Sequence, residues 1–162
     1  MKYRQLDRIV SLEPGQRIVA ERTLRPEEEY LKDHFPRFPV MPGVMMLEAL
    51  HQAAVWMLRA GDDFTSPLVL LREARNVKFG DFLAPNETLR VTCETQKEKD
   101  GLITVKATAA KGERVTVSAR LILERSGSNE PPQTGTDDDI AARAKKQFNE
   151  LFGDVEFTCQ PT

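Results

Sequence analysis

The stretch DHFPRFPVMPGVMMLEALHQAAVWML, residues 33–58, constrains the fold more than any other part of the chain. Prolines at 36, 39 and 42 bar a helix ahead of Gly43 and stiffen the segment that carries His34, while Pro42 itself suits the first turn of a helix. The apolar run that follows predicts a helix from residue 42 to Ala60 or Gly61, a rod about 27 Å long at 1.5 Å per residue. A helix apolar on nearly every side belongs in a core. Its single carboxylate, Glu48, is then expected to have its pKa raised by burial, giving a neutral acid close to an imidazole.

What surrounds that helix reads as strand. LDRIVSLEPGQRIVAERTL predicts a hairpin turning at Glu13-Pro14-Gly15. LVLLREARNVKF, TLRVTCETQ, LITVKATAA and ERVTVSARLILE add four strands, with turn signals at Gly80-Asp81, Pro85-Asn86, Asp100-Gly101 and Lys111-Gly112. In the last of these, Val115, Val117, Ala119, Leu121 and Leu123 are expected on one face, with Arg114, Thr116, Ser118 and Arg120 on the other. An antiparallel sheet with one apolar face needs a cover, and the only long apolar helix is the one carrying Glu48. The fold class is therefore α+β, a sheet wrapped around a helix, over residues 1–125. A linker follows at 126–139, SGSNEPPQTGTDDD. The segment 140–162 is expected to be an amphipathic helix and tail, with Ile140, Ala144, Phe148, Leu151 and Phe152 along one stripe.

Charge and cysteine usage exclude several classes of function. A formal net charge of -2 argues against a general nucleic-acid footprint or a polybasic membrane patch. Cys93 and Cys159 show neither disulfide nor zinc spacing and are read as reduced thiols, and no metal site is expected. Glu48, His51 and Gln52 interrupt the apolar run, so no membrane span is expected, and the N-terminus lacks a signal-peptide run. A cytoplasmic protein acting on a small molecule or a protein partner is the default.

Taken residue by residue, His34 beside Phe and Pro is as readily a packed loop residue as a base, and Glu48 a structural acid satisfied by His51 or Gln52. Met41, Met45, Met46 and Met57 read as pliant core. Arg72, Arg75 and Lys78 form a basic cluster on a strand edge.

Three segments in order, LDRIVSLEPGQRIVAERTL, HFPRFPVMPGVMMLEALHQA and NVKFGDFLAPNETLRV, resemble the 3-hydroxyacyl-[acyl-carrier-protein] dehydratases of the FabZ type from about residue 6 to residue 124. The resemblance implies a hot-dog fold, and homodimers or trimers of dimers whose sites lie between subunits. It also implies a 3-hydroxyacyl thioester substrate on an acyl carrier protein or on CoA, dehydrated to the trans-2-enoyl product with no cofactor. The family's catalytic histidine matches His34 and its glutamate matches Glu48, drawn from different subunits. Removing the C2 proton calls for a base near neutral pKa, which suits His34, and expelling hydroxide from C3 calls for an acid, which suits Glu48. The backbone N–H of Gly43 at the helix start would bind the thioester carbonyl, a contribution of about 3 kcal/mol, and Gln52 would orient Glu48. The basic cluster would meet an acidic carrier. Two positions depart from the family pattern: Asp33 and Arg37 stand where glycines are usual, adding bulk and charge beside His34. Other readings are a thioesterase or hydratase on the same fold, or a non-catalytic carrier-binding subunit.

Overall fold

Pro14 and Gly15 end one strand and start the next, as their backbone preferences require. In the computed structural model, β1 (Arg8–Glu13) and β2 (Arg17–Thr23) form the hairpin, with Gly15 at a φ of 74°. The structure describes residues 4–66, 68–126, 137–153 and 155. After a short 3-10 helix at Glu29–Lys32 and the proline-stiffened loop, α1 runs Gly43–Gly61. The strands β3 (Leu68–Phe79), β4 (Thr88–Lys99), β5 (Leu102–Lys111) and β6 (Arg114–Ser126) follow. All six strands make one antiparallel sheet in the order β1-β2-β4-β5-β6-β3. α1 packs against every one of them. The α+β architecture expected from the pattern is the one observed.

The core lies between α1 and the hollow of the sheet. Met46, Ala49, Leu50, Ala53, Met57 and Leu58 join Ile18, Leu89, Val91, Val105 and Leu121 in one buried cluster. Each large side chain in it contributes about 1.5–3 kcal/mol by leaving water. The C-terminal end of α1 meets the β1–β2 turn backbone to backbone: Gly15 N–H donates to Met57 O at 3.0 Å, and a Cβ on Gly61 would lie 2.6 Å from Gly15 Cα. Only glycine fits that approach.

Two expectations need correction. In β6 the alternation predicts Val115 inside and Thr116 outside, yet Val115 is 50% exposed and Thr116 is buried. The register shifts here, Ala109 pairing with Val117 and Ala110 with Val115, so Thr116 is the extra residue of a bulge. Its hydroxyl donates to Ala109 O at 3.2 Å, satisfying the polar group that the bulge turns inward. The second correction concerns α1, which is not buried all round. Val44 is 68% exposed, and Leu47, Glu48, His51 and Val55 are only partly covered, leaving an open stripe opposite the sheet.

The second helix, α2 (Asp137–Phe152), begins three residues before the expected start. Residues 127–136, most of the expected linker, lie outside the described residues, as does Cys159. α2 docks on its own domain. Phe148 is buried against Trp56 and Phe64, with ring centroids 5.6 and 5.3 Å away, and Phe152 packs edge-on to Trp56. Ala144 and Leu151 pack against the same cluster, while the side chain of Ile140 is not described. No helix among the described residues is long and apolar enough to cross a membrane.

Candidate active site

The loop that carries His34 is held from behind. Backbone N–H groups of Asp33 and His34 both donate to Tyr30 O, at 3.3 and 3.0 Å. The Tyr30 hydroxyl donates to Glu28, which also accepts from the buried Arg22 at 2.6 Å. Burial alone would raise the Glu28 carboxyl, but hydrogen bonds from Tyr30, Arg22 and the Arg25 backbone outweigh it and hold the group below the ordinary carboxylate range. Burial and the neighbouring Glu28 raise the Tyr30 phenol, so it stays a donor. With the loop fixed in this way, Phe35 takes a φ of 50°, unusual for a bulky residue, and its ring stands 4.6 Å from the His34 ring.

The ring itself is oriented by one contact. His34 Nδ1 lies 3.0 Å from Val40 O, and because a carbonyl only accepts, the proton is assigned to Nδ1. Nε2 is left with a free lone pair. Asp33 and Arg37 are both exposed, and among the described residues no ion pair joins either of them to His34.

Glu48 sits one turn into α1 on the open stripe. Gln52 Nε2 donates to its Oε1 at 3.1 Å, and His51 Nδ1 lies 3.3 Å from its Oε2. Its carboxyl is held below the ordinary range, first by the hydrogen bond from His51, against the opposing effect of partial burial, and then by Gln52. This reverses the raised pKa expected from the sequence. The physical reason is the open stripe: a half-exposed carboxylate with two donors loses little hydration and gains two bonds to its charged form. Among the described residues, His51 Nε2 is buried without a partner. A bare acceptor there is less costly than a buried N–H without an acceptor, so the Nδ1–H tautomer is favoured.

Gly43 opens α1 behind Pro42, whose side chain makes no cap. Among the described residues no hydrogen bond uses the Gly43 N–H, one of the orphan donors of a helix start. The Phe79 ring covers the position so closely that a Cβ on Gly43 would lie 2.8 Å from its Cε1. Beside the helix start is a cavity of about 530 Å³ lined by Gln5, Arg22, Tyr30, Pro42, Val44 and Met45 among others. His34 and Glu48 are not joined within one chain by any hydrogen bond or ion pair among the described residues. Gln52 and His51 are brought to Glu48.

A polar network around these groups has no signal in the sequence. Gln52 Oε1 accepts the backbone N–H of Gln5 at 2.8 Å, and Gln5 Oε1 accepts from Arg22 Nε at 3.3 Å. Gln5, Arg22, Glu28 and Tyr30 therefore link the support of Glu48 to the support of His34. Elsewhere, Cys93 is buried, its thiol pushed well up by desolvation, with Sγ 3.5 Å from Leu50 O, which suits packing and not nucleophilic chemistry. In the basic cluster, Arg72 bonds Glu124 and Arg75 bonds Glu73 at 2.8 Å, both at the exposed edge.

A family model described as a FabA-like domain matches residues 1–120. The 3-hydroxyacyl-[acyl-carrier-protein] dehydratase FabZ of Levilactobacillus brevis is 35% identical over 116 residues, covering 72% of this chain and 78% of the relative. The FabZ dehydratase of Clostridium kluyveri is 32% identical over 118 residues, covering 73% and 82%. Among solved structures, the dehydratase heterocomplex ApeI:P from Xenorhabdus doucetiae superposes with a TM-score of 0.63 at 14% identity, covering 80% of this chain and 87% of that one. A hypothetical thioesterase with coenzyme A from Streptococcus pneumoniae gives 0.58 at 9%, covering 75% and 87%. These two likenesses establish the hot-dog fold and nothing finer. The matched family region ends before α2 begins.

Proposed function

The chain belongs to the FabA-like family, and from that premise we propose the following chemistry for it. It is a 3-hydroxyacyl-[acyl-carrier-protein] dehydratase of fatty acid biosynthesis, releasing water to form the trans-2-enoyl thioester. His34 is the base and Glu48 the acid. His34 Nε2 takes the proton from C2, the electrons move toward the thioester carbonyl, and the Gly43 N–H steadies the charge that develops on that oxygen. The C3–O bond then breaks as Glu48 gives its proton to the departing hydroxyl, which leaves as water. Proton transfer from the imidazolium to the Glu48 carboxylate through solvent restores the enzyme.

The observation that carries this reading is the His34 ring: Nδ1–H donates to Val40 O, which fixes the ring and makes Nε2 the accepting nitrogen of the neutral imidazole. The acid has to be neutral, and a second copy of this chain supplies the missing condition. The open stripe of α1, with Val44 and Glu48, and the edge strand β3, with exposed Leu68, Leu71 and Phe79, form the face on which that copy docks. Closing that face strips water from Glu48 and raises its pKa against the pull of His51. In the same dimer His34 of one subunit meets Glu48 of the other, on a carrier-bound acyl chain, and we place this work in the cytoplasm.

His34→Ala and Glu48→Gln test the assignment with a 3-hydroxyacyl carrier thioester as substrate. Each is expected to lower kcat by about 10²–10⁴-fold, the range for loss of a general acid or base. Turnover that survives both substitutions would remove the assignment.

A further inference from the structure

The two oxygens of Glu48 are not equivalent. Oε1 accepts from Gln52 Nε2 at 3.1 Å, while Oε2 faces His51 Nδ1 at 3.3 Å. The polarity of the Gln52 amide is set from its far side. Its Oε1 accepts the Gln5 backbone N–H at 2.8 Å, and that group can only donate. A flipped amide would set N–H against N–H at the buried Gln5 end, leaving the Gln5 N–H without its acceptor, and would turn the amide oxygen toward the Glu48 carboxylate.

Gln5 is buried and is aimed by its neighbour. Arg4 Nε donates to Leu6 O at 2.6 Å, and Nη2 donates to Asp7 O at 2.7 Å and to Leu151 O at 2.8 Å. The guanidinium also lies over the Phe152 ring, 5.4 Å from its centroid. Leu151 and Phe152 belong to the last turn of α2, where carbonyls lack intrahelical donors and the dipole favours a cation. That turn has no basic residue of its own, so Arg4 supplies the charge from the start of the chain.

We propose that α2, acting through Arg4 and the Gln5 N–H, locks the Gln52 amide so that Glu48 Oε1 always accepts a hydrogen bond, while Oε2, whose contact with the His51 N–H belongs to the charged form and gives way on protonation, holds and releases the proton. Arg4 and Gln5 are positioning residues in this scheme. It rests on the reading of Glu48 as the acid of the dehydration. As the C3–O bond breaks, the Oε2 proton goes to the leaving hydroxyl to make water, and the carboxylate that remains keeps its Oε1 bond to Gln52.

The test uses the full chain. Arg4→Met and, separately, Phe152→Ala are compared with the unsubstituted protein in two ways. One is the exchange with water of the Gln52 side-chain amide protons, followed by ¹⁵N-resolved NMR and assigned by their loss in Gln52→Leu. The other is kcat and KM for hydration of a trans-2-enoyl thioester. Both variants are expected to speed Gln52 exchange and to lower kcat by about tenfold with KM within about twofold, the mark of a displaced reacting group and not of lost binding. Arg4→Lys keeps a cation at the end of α2 and is expected to recover part of the loss. Unchanged Gln52 exchange and kcat in folded Arg4→Met and Phe152→Ala would overturn the inference while leaving the dehydratase reading intact. If the unsubstituted protein neither hydrates enoyl nor dehydrates 3-hydroxyacyl thioesters, the dehydratase reading fails, and Gln52 exchange still decides the coupling to α2.

Discussion

Phe148→Ala measures how firmly α2 belongs to the domain. Phe148 is 1% exposed, and its ring packs against Trp56, Phe64 and Phe152 among the described residues, with centroids 5.3–5.6 Å away. Truncating a fully buried Phe removes its transfer free energy and leaves a cavity, together about 3–5 kcal/mol when the surroundings stay in place. The measured loss has a ceiling, however. α2 is docked through an aromatic cluster with Trp56 and Phe64 and through contacts with β1, so once docking is weaker than the cavity cost the helix detaches and no further loss is seen. Urea unfolding followed by tryptophan fluorescence reads both cases, because Trp56 is the only tryptophan and lies in the contact. With an m value of about 2 kcal/mol/M, a loss of about 3–5 kcal/mol moves the midpoint down by roughly 1.5–2.5 M. A fall well under 1 kcal/mol, with no separate early transition, would refute the view that α2 is an integral part of the fold.

Two further outcomes follow from particular contacts. His51→Leu removes the main influence holding the Glu48 carboxyl down, so its pKa is expected to rise and the basic limb of the kcat/KM profile, where the acid is lost, to move to higher pH; a limb that stays put or moves down would refute the role of His51. The sign in stability is consistent: a carboxyl depressed in the folded state adds stability above its unfolded pKa and loses it as pH falls through the folded value, so His51→Leu is expected to flatten that acid-side loss in urea midpoints measured against pH. Gly61→Ala would place a methyl 2.6 Å from Gly15 Cα, where both partners are backbone, and is expected to cost about 1–3 kcal/mol in thermal unfolding, an unchanged Tm being the contrary result.

Much of the frame is readable from local chemistry. Prolines 36, 39 and 42 and the apolar run after Gly43 predict α1 to within one residue at its start, and Pro14-Gly15 predicts the first hairpin. Alternation predicts the strands because side-chain direction in a strand is a property of the backbone itself. That rule broke at Thr116, where the pairing of β5 with β6 inserts a residue, and pairing is decided between strands. It also misjudged Glu48, because hydropathy reports what a helix tends to bury and not what is present to bury it; on the open stripe the carboxyl meets His51 and Gln52 in place of an apolar wall.

Residue order alone determined the α+β class and the bounds of α1, and it singled out His34 and Glu48 for the proposed chemistry, because periodicity, proline geometry and a motif are all written in neighbouring positions. Tertiary structure decided what holds that pair. The Gln5 to Gln52 bond spans 47 positions and the Arg4 to Leu151 bond spans 147. Contacts of that reach depend on where the folded backbone brings donors and acceptors within 3 Å, and no pattern of adjacent residues encodes it.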